Sequence, residues 1–576
     1  MVIDMSFVRR SAIYVLAACT FALALCGTAT AQVVTCPVAS NLNVSGATVY
    51  NMASSCVIDG TVTVSIDSTG TLVNYGPGGT ASASLVNDGT IKNSGVLENA
   101  GGYDTITNFG TIFNSNTLDI NGGTLTNAGI VDNFGTITDT ETSGYLNNLG
   151  SLTNTGTLDL ETTVTNYAGG NINNTGTLSL TGFFDEPYPG ANTFTNYGTV
   201  TNYAGGVVLA AVVLNISGSI INYGTFYTGG VGTQPPQLTN TGTITNYGIF
   251  STSALEDFGP TVENDGTITN YGTFLNAPFA SVTNNATFDN FGTLTNQAHF
   301  GNSVTGSIIN ETGATISLDA NNLDNYGAIT NNGAITITNN SGVGDLYNAG
   351  TITNNGSIAN NGGVIFVDIG GTLTNSAGSS FVQTAGQMTV NGAVNSVPAV
   401  QIQGGTLNGL GTINGNVNNS GGSVEAGGGF GGTFTINGDY TQGTAGTLQV
   451  DLVDGSFYGV LDVSGLAALD GTVDFDAISG FAPVAGDDFT FLYFGSLSGE
   501  FASVEFDGWT CPTDDTCELI YGTNSVSLDI MGPNGNGGGG TTTPEPGGVS
   551  LLCAGLMAMA AMAHRRRRTL ARSMMA

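Results

Sequence analysis

Short apolar–polar alternation, broken at regular intervals by Asn and Gly, runs through most of this chain. From about residue 71 to 362 the unit Thr-(Ile/Leu)-Thr-Asn-x-Gly recurs, as in Thr243-Ile244-Thr245-Asn246-Tyr247-Gly248 and Thr267-Ile268-Thr269-Asn270-Tyr271-Gly272. Asn-x-Gly occurs about two dozen times, often as pairs six residues apart: Asn87 and Asn93, Asn127 and Asn133, Asn148 and Asn154, Asn240 and Asn246, Asn264 and Asn270, Asn325 and Asn331. Each unit predicts a strand of three to four residues. The apolar residue alternates with Thr on the period of a pleat, and Asn and Gly are expected to take the positive φ of a tight turn. One unit cannot bury its single apolar side chain, so the units must stack. Coils of about 20–24 residues, spaced by about 4.8 Å, give a continuous Ile/Leu/Val core with internal Asn ladders. Aromatics at the x position (Tyr197, Tyr223, Tyr247, Tyr271, Phe291 and Tyr326) are expected to stack between coils.

The predicted fold is therefore all-β: a parallel β-helix or solenoid, right-handed because irregular coil lengths suit that hand. A β-rich C-terminal module and one C-terminal transmembrane helix complete it. Residues 207–214 (VVLAAVVL) and 183–192 (FFDEPYPGAN) are expected to protrude as insertions.

Composition sharpens this picture. Among 576 residues there are 88 Gly, 14 Pro and one Trp, and only 9% are charged, against a usual quarter. The 40% apolar content in regular short runs argues against disorder. Of eight basic residues, Arg9 and Arg10 precede the first apolar run, and Arg565, Arg566, Arg567, Arg568 and Arg572 follow the last, leaving Lys92 alone between them. All acidic residues but Asp4 lie in that same stretch, which carries a net charge of about −40. Binding to nucleic acid or to an anionic lipid surface relies on Lys and Arg, so neither is expected. The excess charge keeps a secreted chain soluble, with diffuse Ca2+ uptake through carboxylates the other reading. No other cofactor is implied.

Both ends read as addresses. Arg9-Arg10, the apolar residues 11–25 and the small-x-small site Ala29-Thr30-Ala31 form a secretory signal peptide, with Gln32 as the mature start. At the other end a spacer, residues 532–543 (GPNGNGGGGTTT), leads to Pro544-Glu545-Pro546. An apolar run of 17 residues, 547–563, follows, then His564 and Arg565-Arg566-Arg567-Arg568. That run is at the short limit for a bilayer helix, and the arginines stay cytoplasmic. This tail resembles the PEP-CTERM sorting signal of Gram-negative bacteria. The resemblance implies recognition by an exosortase, cleavage near Pro544-Glu545-Pro546, and transfer from the inner membrane to the cell surface or extracellular polysaccharide.

From about Gly404 the repeat changes. Gly404-Gly405-Thr406-Leu407, Gly438-Asp439-Tyr440-Thr441-Gln442 and Leu461-Asp462-Val463 resemble the passenger region of autotransporter adhesins, which continues and caps a β-helix. The family's outer-membrane barrel is missing, and the sorting tail stands in its place. The expected organisation is a signal peptide (1–31), an N-terminal cap (32–70), solenoid repeats (71–403), the passenger-like module (404–531), a Gly/Pro linker (532–546), a transmembrane helix (547–564) and a basic tail (565–576). An oxidising compartment makes Cys36–Cys56 and Cys511–Cys517 the disulfide candidates.

Chemistry is sparse. His299 is the only histidine in the body, so no nucleophile–His–acid arrangement is available, and no metal ligand set is expected from the cysteines. The pairs Asp487-Asp488 and Asp514-Asp515 are the conceivable carboxylates of a hydrolase, yet neighbours on a strand point to opposite faces. An enzyme acting on polysaccharide is thus the weakest reading, and no catalytic residue is assigned. Thr-x-Thr pairs (Thr105/Thr107, Thr124/Thr126, Thr136/Thr138, Thr243/Thr245, Thr267/Thr269, Thr351/Thr353) resemble the ice-binding face of β-helical antifreeze proteins, although varying coil length is expected to throw such rows out of register. The leading expectation is a structural or adhesive surface protein whose partners are exosortase and extracellular polysaccharide or other surface components.

Overall fold

A computed structural model describes residues 32–533, except for 47, 52–54, 77–81, 140–143, 162, 181–192, 230–236, 253–258, 320 and 339–344. Two compact units divide the chain between Thr315 and Ile316. Each is an all-β parallel solenoid.

In the first unit every coil supplies three short strands, one to each of three sheets. Thr105–Asn108 pairs in register with Thr124–Asn127 on the first face. Thr111–Asn114 pairs with Ile130–Asn133 on the second, and Thr117–Asp119 with Thr136–Asp139 on the third. The strands bury their second and fourth residues and turn the first and third outward. The second residue is Ile, Leu, Val or Phe throughout, at 0–2% exposure from Leu85 to Phe300. Each such side chain contributes about 1.5–3 kcal/mol when withdrawn from water. No single strand could hold one without the rungs on either side.

In the second unit parallel pairing continues through the change of motif at Gly404, from Leu323–Asn325 to Ser503–Asp507. Some strands here are longer and bulged, among them Ser357–Val367 and Ser380–Val390. The module ends in an antiparallel hairpin, Thr516–Tyr521 with Ser525–Met531, whose second strand lies against Asp488–Gly499. Cys36 is bonded to Cys56 in the first coils, and Cys511 to Cys517 at the start of the hairpin.

The turn chemistry differs from expectation. In the repeating strand units Asn of Asn-x-Gly does not adopt positive φ, unlike Asn121 of Asn121-Gly122-Gly123 at φ +44°. It is the fourth strand residue, buried at 0–1% from Asn87 to Asn310 and pointing inward to form the expected internal ladder. Its amide donates to the Asn of the next coil, as in Asn222 Nδ2 to Asn246 Oδ1 and Asn246 Nδ2 to Asn270 Oδ1, both 2.7 Å. Coil repeats of 18 to 30 residues are spanned by the same contact. The ladder satisfies carbonyls at the corner as well, Asn246 Nδ2 reaching Thr273 O at 2.9 Å.

Glycine in this motif is also needed for something other than φ. A Cβ on Gly248 would lie 2.1 Å from the carbonyl oxygen of Gly224 in the preceding coil, and one on Gly110 would lie 2.0 Å from that of Gly89. The corners are stacked so tightly that only a hydrogen fits between the backbones. Apolar residues 207–214 form no protrusion. They are two regular strands, Val207–Ala210 and Val212–Asn215, with Val208, Ala210 and Val213 in the core. The expected loop 183–192 lies outside the described residues.

Positive φ does occur in a second kind of corner, a four-residue turn. The fourth N–H donates to the first carbonyl in residues 167–170, 203–206 and 277–280. The third residue is Gly169 at φ +87° and Gly205 at φ +86°, but Phe279 at φ +67°. This is the position of a type II turn that glycine normally occupies, with Pro278 ahead of it. Phe279 is 77% exposed, so its ring gains little from packing. Phe279→Gly should remove about 1–2 kcal/mol of left-handed strain and cost about 0.5–1 kcal/mol in chain entropy. A net gain of about 0.5–1 kcal/mol in denaturant unfolding is therefore expected; a loss would show that the phenyl ring makes a contact that outweighs its strain.

Candidate functional surfaces

Of the residues singled out from sequence, Gln32 begins the exposed first strand, Gln32–Val33. Ala29, Ala31, Pro544, Glu545, Pro546 and Arg565 to Arg568 lie outside the described residues, as does the apolar segment 547–564. Among the described residues no helix is long and apolar enough to cross a membrane. His299 opens a strand on the first face, its ring Nδ1 3.3 Å from Ser281 Oγ on the preceding rung. Lys92 points outward from Thr90–Asn93.

The carboxylate pairs are placed differently from expectation. Asp487 precedes the strand Asp488–Gly499 and accepts the Val484 N–H, while Asp514 and Asp515 sit in the turn before Thr516–Tyr521. Neither pair shares a strand, so alternation of strand faces does not separate them. Among the described residues no group of three or more His, Cys, Asp or Glu side chains is arranged to hold a metal ion. The recess at the N-terminal end of the first unit is apolar, lined by Val34, Val38, Leu42, Ile58 and Val64 among others.

Three outward features remain. The first is an aromatic ladder at the corner after the second face. Tyr203, Tyr223, Tyr247, Tyr271 and Phe291 follow one another, with centroids 4.7–4.8 Å apart from Tyr223 onward and 6.4 Å between Tyr203 and Tyr223. Tyr203 belongs to it and Tyr197 does not, because Tyr197 follows a strand of the first face. In the second unit Tyr326 meets Tyr347 at a tilted 54°. Both faces of Tyr247 and Tyr271 are covered by neighbouring rings. Only edges and hydroxyls face water, which suits a structural ladder and leaves those rings no free face on which a sugar could stack.

Thr rows are the second feature, and they keep their register. Thr105 and Thr107 align with Thr124 and Thr126, and Thr243 and Thr245 with Thr267 and Thr269. On the third face Thr117, Thr136, Thr157 and Thr177 align over four rungs. Extra residues are taken up between strands, as between Thr177–Leu180 and Thr193–Asn196, and so leave the rungs aligned. The double rows are nevertheless short, since Thr124 and Thr126 are followed by Tyr145 and Asn147.

A carboxylate face on the second unit was not foreseen. Ser423–Ala426, Thr447–Leu452, Thr472–Ala477 and Ser503–Asp507 run parallel, with Asp451 opposite Asp476 opposite Asp507, and Gln449 opposite Asp474 opposite Glu505. Period two puts Asp474 with Asp476, and Glu505 with Asp507, on one face. Burial raises the Asp474 carboxyl above its ordinary range, and Asp507, Glu505 and Asp476 raise it further. Asp476 is raised by burial first and then by Asp507. Acidic residues two apart in VDFDA and VEFDG were the signal in the sequence; only the strand register brings them together.

These surfaces sit on a parallel β-solenoid, and that is the class the fold defines. The sequence matches no family model and no curated protein.

Proposed function

We propose that the chain is an exported structural or adhesive protein, sorted by an exosortase through a PEP-CTERM tail to the cell surface or extracellular matrix of a Gram-negative bacterium. One observation carries this reading: Pro544-Glu545-Pro546, the apolar run 547–563 and Arg565 to Arg568 stand in that order, behind a secretory signal ending at Ala31. Solenoid units whose outward strand positions repeat Thr and Ser from rung to rung support it, since many weak contacts on repeated rungs add through multivalency. Variable coil length supports right-handed winding. Extracellular polysaccharide is the partner class proposed, with the inner membrane holding the precursor.

Fractionating the native host with and without its exosortase tests the reading, alongside mass spectrometry of the released C-terminus. The expected result is a surface or matrix form ending near Pro544-Glu545-Pro546, which accumulates uncleaved in the inner membrane without exosortase. An intact tail still in the inner membrane of the normal host would refute it.

Aligned Thr rows favour a second reading, ice binding, because two Thr positions stay in register from one rung to the next. A thermal-hysteresis assay on the purified body decides it: no hysteresis and no ice shaping at high protein concentration dismisses the idea.

A further inference from the structure

At the inner margin of the carboxylate face, Asp451 is 1% exposed. Its Oδ2 accepts the Gly429 N–H at 2.8 Å, while Oδ1 has no hydrogen-bond donor. Glu425, opposite Gln449 on the neighbouring strand, converges on the same glycine: its Oε1 lies 3.3 Å from where a Cβ on Gly429 would stand, and Asn408 Nδ2 donates to its Oε2 at 2.9 Å. Asn408 is itself fixed by Thr389 Oγ1, which donates to its Oδ1 at 2.7 Å. From the next rung Asp476 faces Asp451, and Asp507 lies beyond it. Residues 427–432 pass over the pair with positive φ at Gly427, Gly428, Gly429, Gly431 and Gly432, and carry Phe430 outward at 70% exposure.

Between residues 316 and 533 there is no Lys, Arg or His. A charge on Asp451, closed off from water beside the half-buried Glu425, is costly to hold. A single proton turns the facing oxygens into a donor and an acceptor and supplies the partner that Oδ1 lacks.

We propose that Glu425 and Asp451 form a proton-sharing pair that fastens the glycine loop 427–432 to the solenoid, and that the loop is released as rising pH removes the shared proton. The Asp451 carboxyl is pushed up to about 7, first by burial, then by Glu425; the Gly429 N–H opposes the rise, while Asp476 and the hydrogen bond to Glu425 add to it. The sign follows. A carboxyl raised on folding lends its full stabilisation below its unfolded value of 3.8 and loses it as pH climbs through about 7. The loop is therefore tight in acid and loose in mild alkali.

The test is hydrogen exchange of the Gly429 amide in the intact mature protein, corrected for intrinsic base catalysis. Protection is expected to fall at least about tenfold between about pH 5.5 and pH 8.5, on the order of 1.4 kcal/mol. In Asp451→Asn the amide Nδ2 can donate to Glu425 while Oδ1 still accepts the Gly429 N–H, so protection should persist at both pH values. Glu425→Gln should do the same from the other side, and serves if the first variant folds poorly. Unchanged protection in the wild type, or an equal fall in both variants, overturns the proposal. So does loss of protection in chelator at every pH with recovery on adding Ca2+, which would assign the neutralising charge to a cation.

Discussion

Gly248→Ala is expected to destabilise the first unit by about 3–5 kcal/mol, at the upper end for a single added methyl group. The new Cβ would sit 2.1 Å from Gly224 O and 2.7 Å from Tyr223 O, all backbone, so no side chain can swing aside. Relief requires parting the two rungs. That stretches the bonds from the Tyr247 and Gly248 N–H groups to Asn222 O, now 2.7 and 3.0 Å, and opens the 4.7 Å stack of Tyr223 on Tyr247. Gly205→Ala is the informative control. It has φ +86° but nothing within 4 Å of its Cβ, so it should cost only the left-handed strain of about 1–2 kcal/mol. Denaturant unfolding read by hydrogen exchange ranks the two locally, which matters in a repeat array where distant coils unfold separately. If Gly205→Ala proves the more damaging, close approach is not the reason for these glycines.

Asn246→Ala should cost about 2–4 kcal/mol. Asn246 accepts from Asn222 Nδ2, and donates to Asn270 Oδ1, Thr273 O and Gly248 O. Truncation leaves the buried Asn270 Oδ1 without this donor and Asn222 Nδ2 one acceptor short, at about 1–3 kcal/mol for each unsatisfied group. Asn246→Asp should be worse than alanine near neutral pH. An ionised carboxylate can still accept from Asn222, but it faces three acceptors where the amide had donated. Protonation restores a donor, so the Asp variant should recover stability as pH falls toward about 4 while the Ala variant stays flat. Equal pH profiles would show that the ladder is held by shape alone.

Much of this fold can be read from local pattern. Ile244 and Asn246 are two residues apart, and the alternation that buries one buries the other, so the inward Asn is legible in Thr-Ile-Thr-Asn once the period is taken literally. The internal Asn ladder was expected on that ground, and only the positive φ assigned to the same Asn was not found, because turn preference was allowed to override the strand period. The x-position aromatics were legible as a class, but membership of a ladder was not. Tyr197 and Tyr203 each follow a strand in the same local sequence, Thr-Asn-Tyr, yet they fall at different corners because strands here pair with every third strand along the chain. Apolar residues 207–214 were misread as an insertion for a related cause: two strands joined by the single residue Ala211 look like one apolar run.

The carboxylate face shows where sequence stops. Asp474 with Asp476, and Glu505 with Asp507, are local pairs that alternation alone places on one side of a strand. That Asp451, Asp476 and Asp507 share a row depends on three strands separated by long and unequal stretches of chain. The same holds for Glu425 beside a nearly inaccessible Asp451 under a glycine loop.

The opening pattern of short apolar runs and Asn-x-Gly by itself determined that the body is a stacked all-β solenoid, because period two and repetition are properties of neighbours along the chain. Which side chains meet across rungs, why the glycines must be glycine, and where acidic groups crowd one another were decided only by tertiary register. Those are contacts between residues some 18 to 30 apart in the chain, as between the Asn side chains of successive rungs, and no local pattern encodes that spacing.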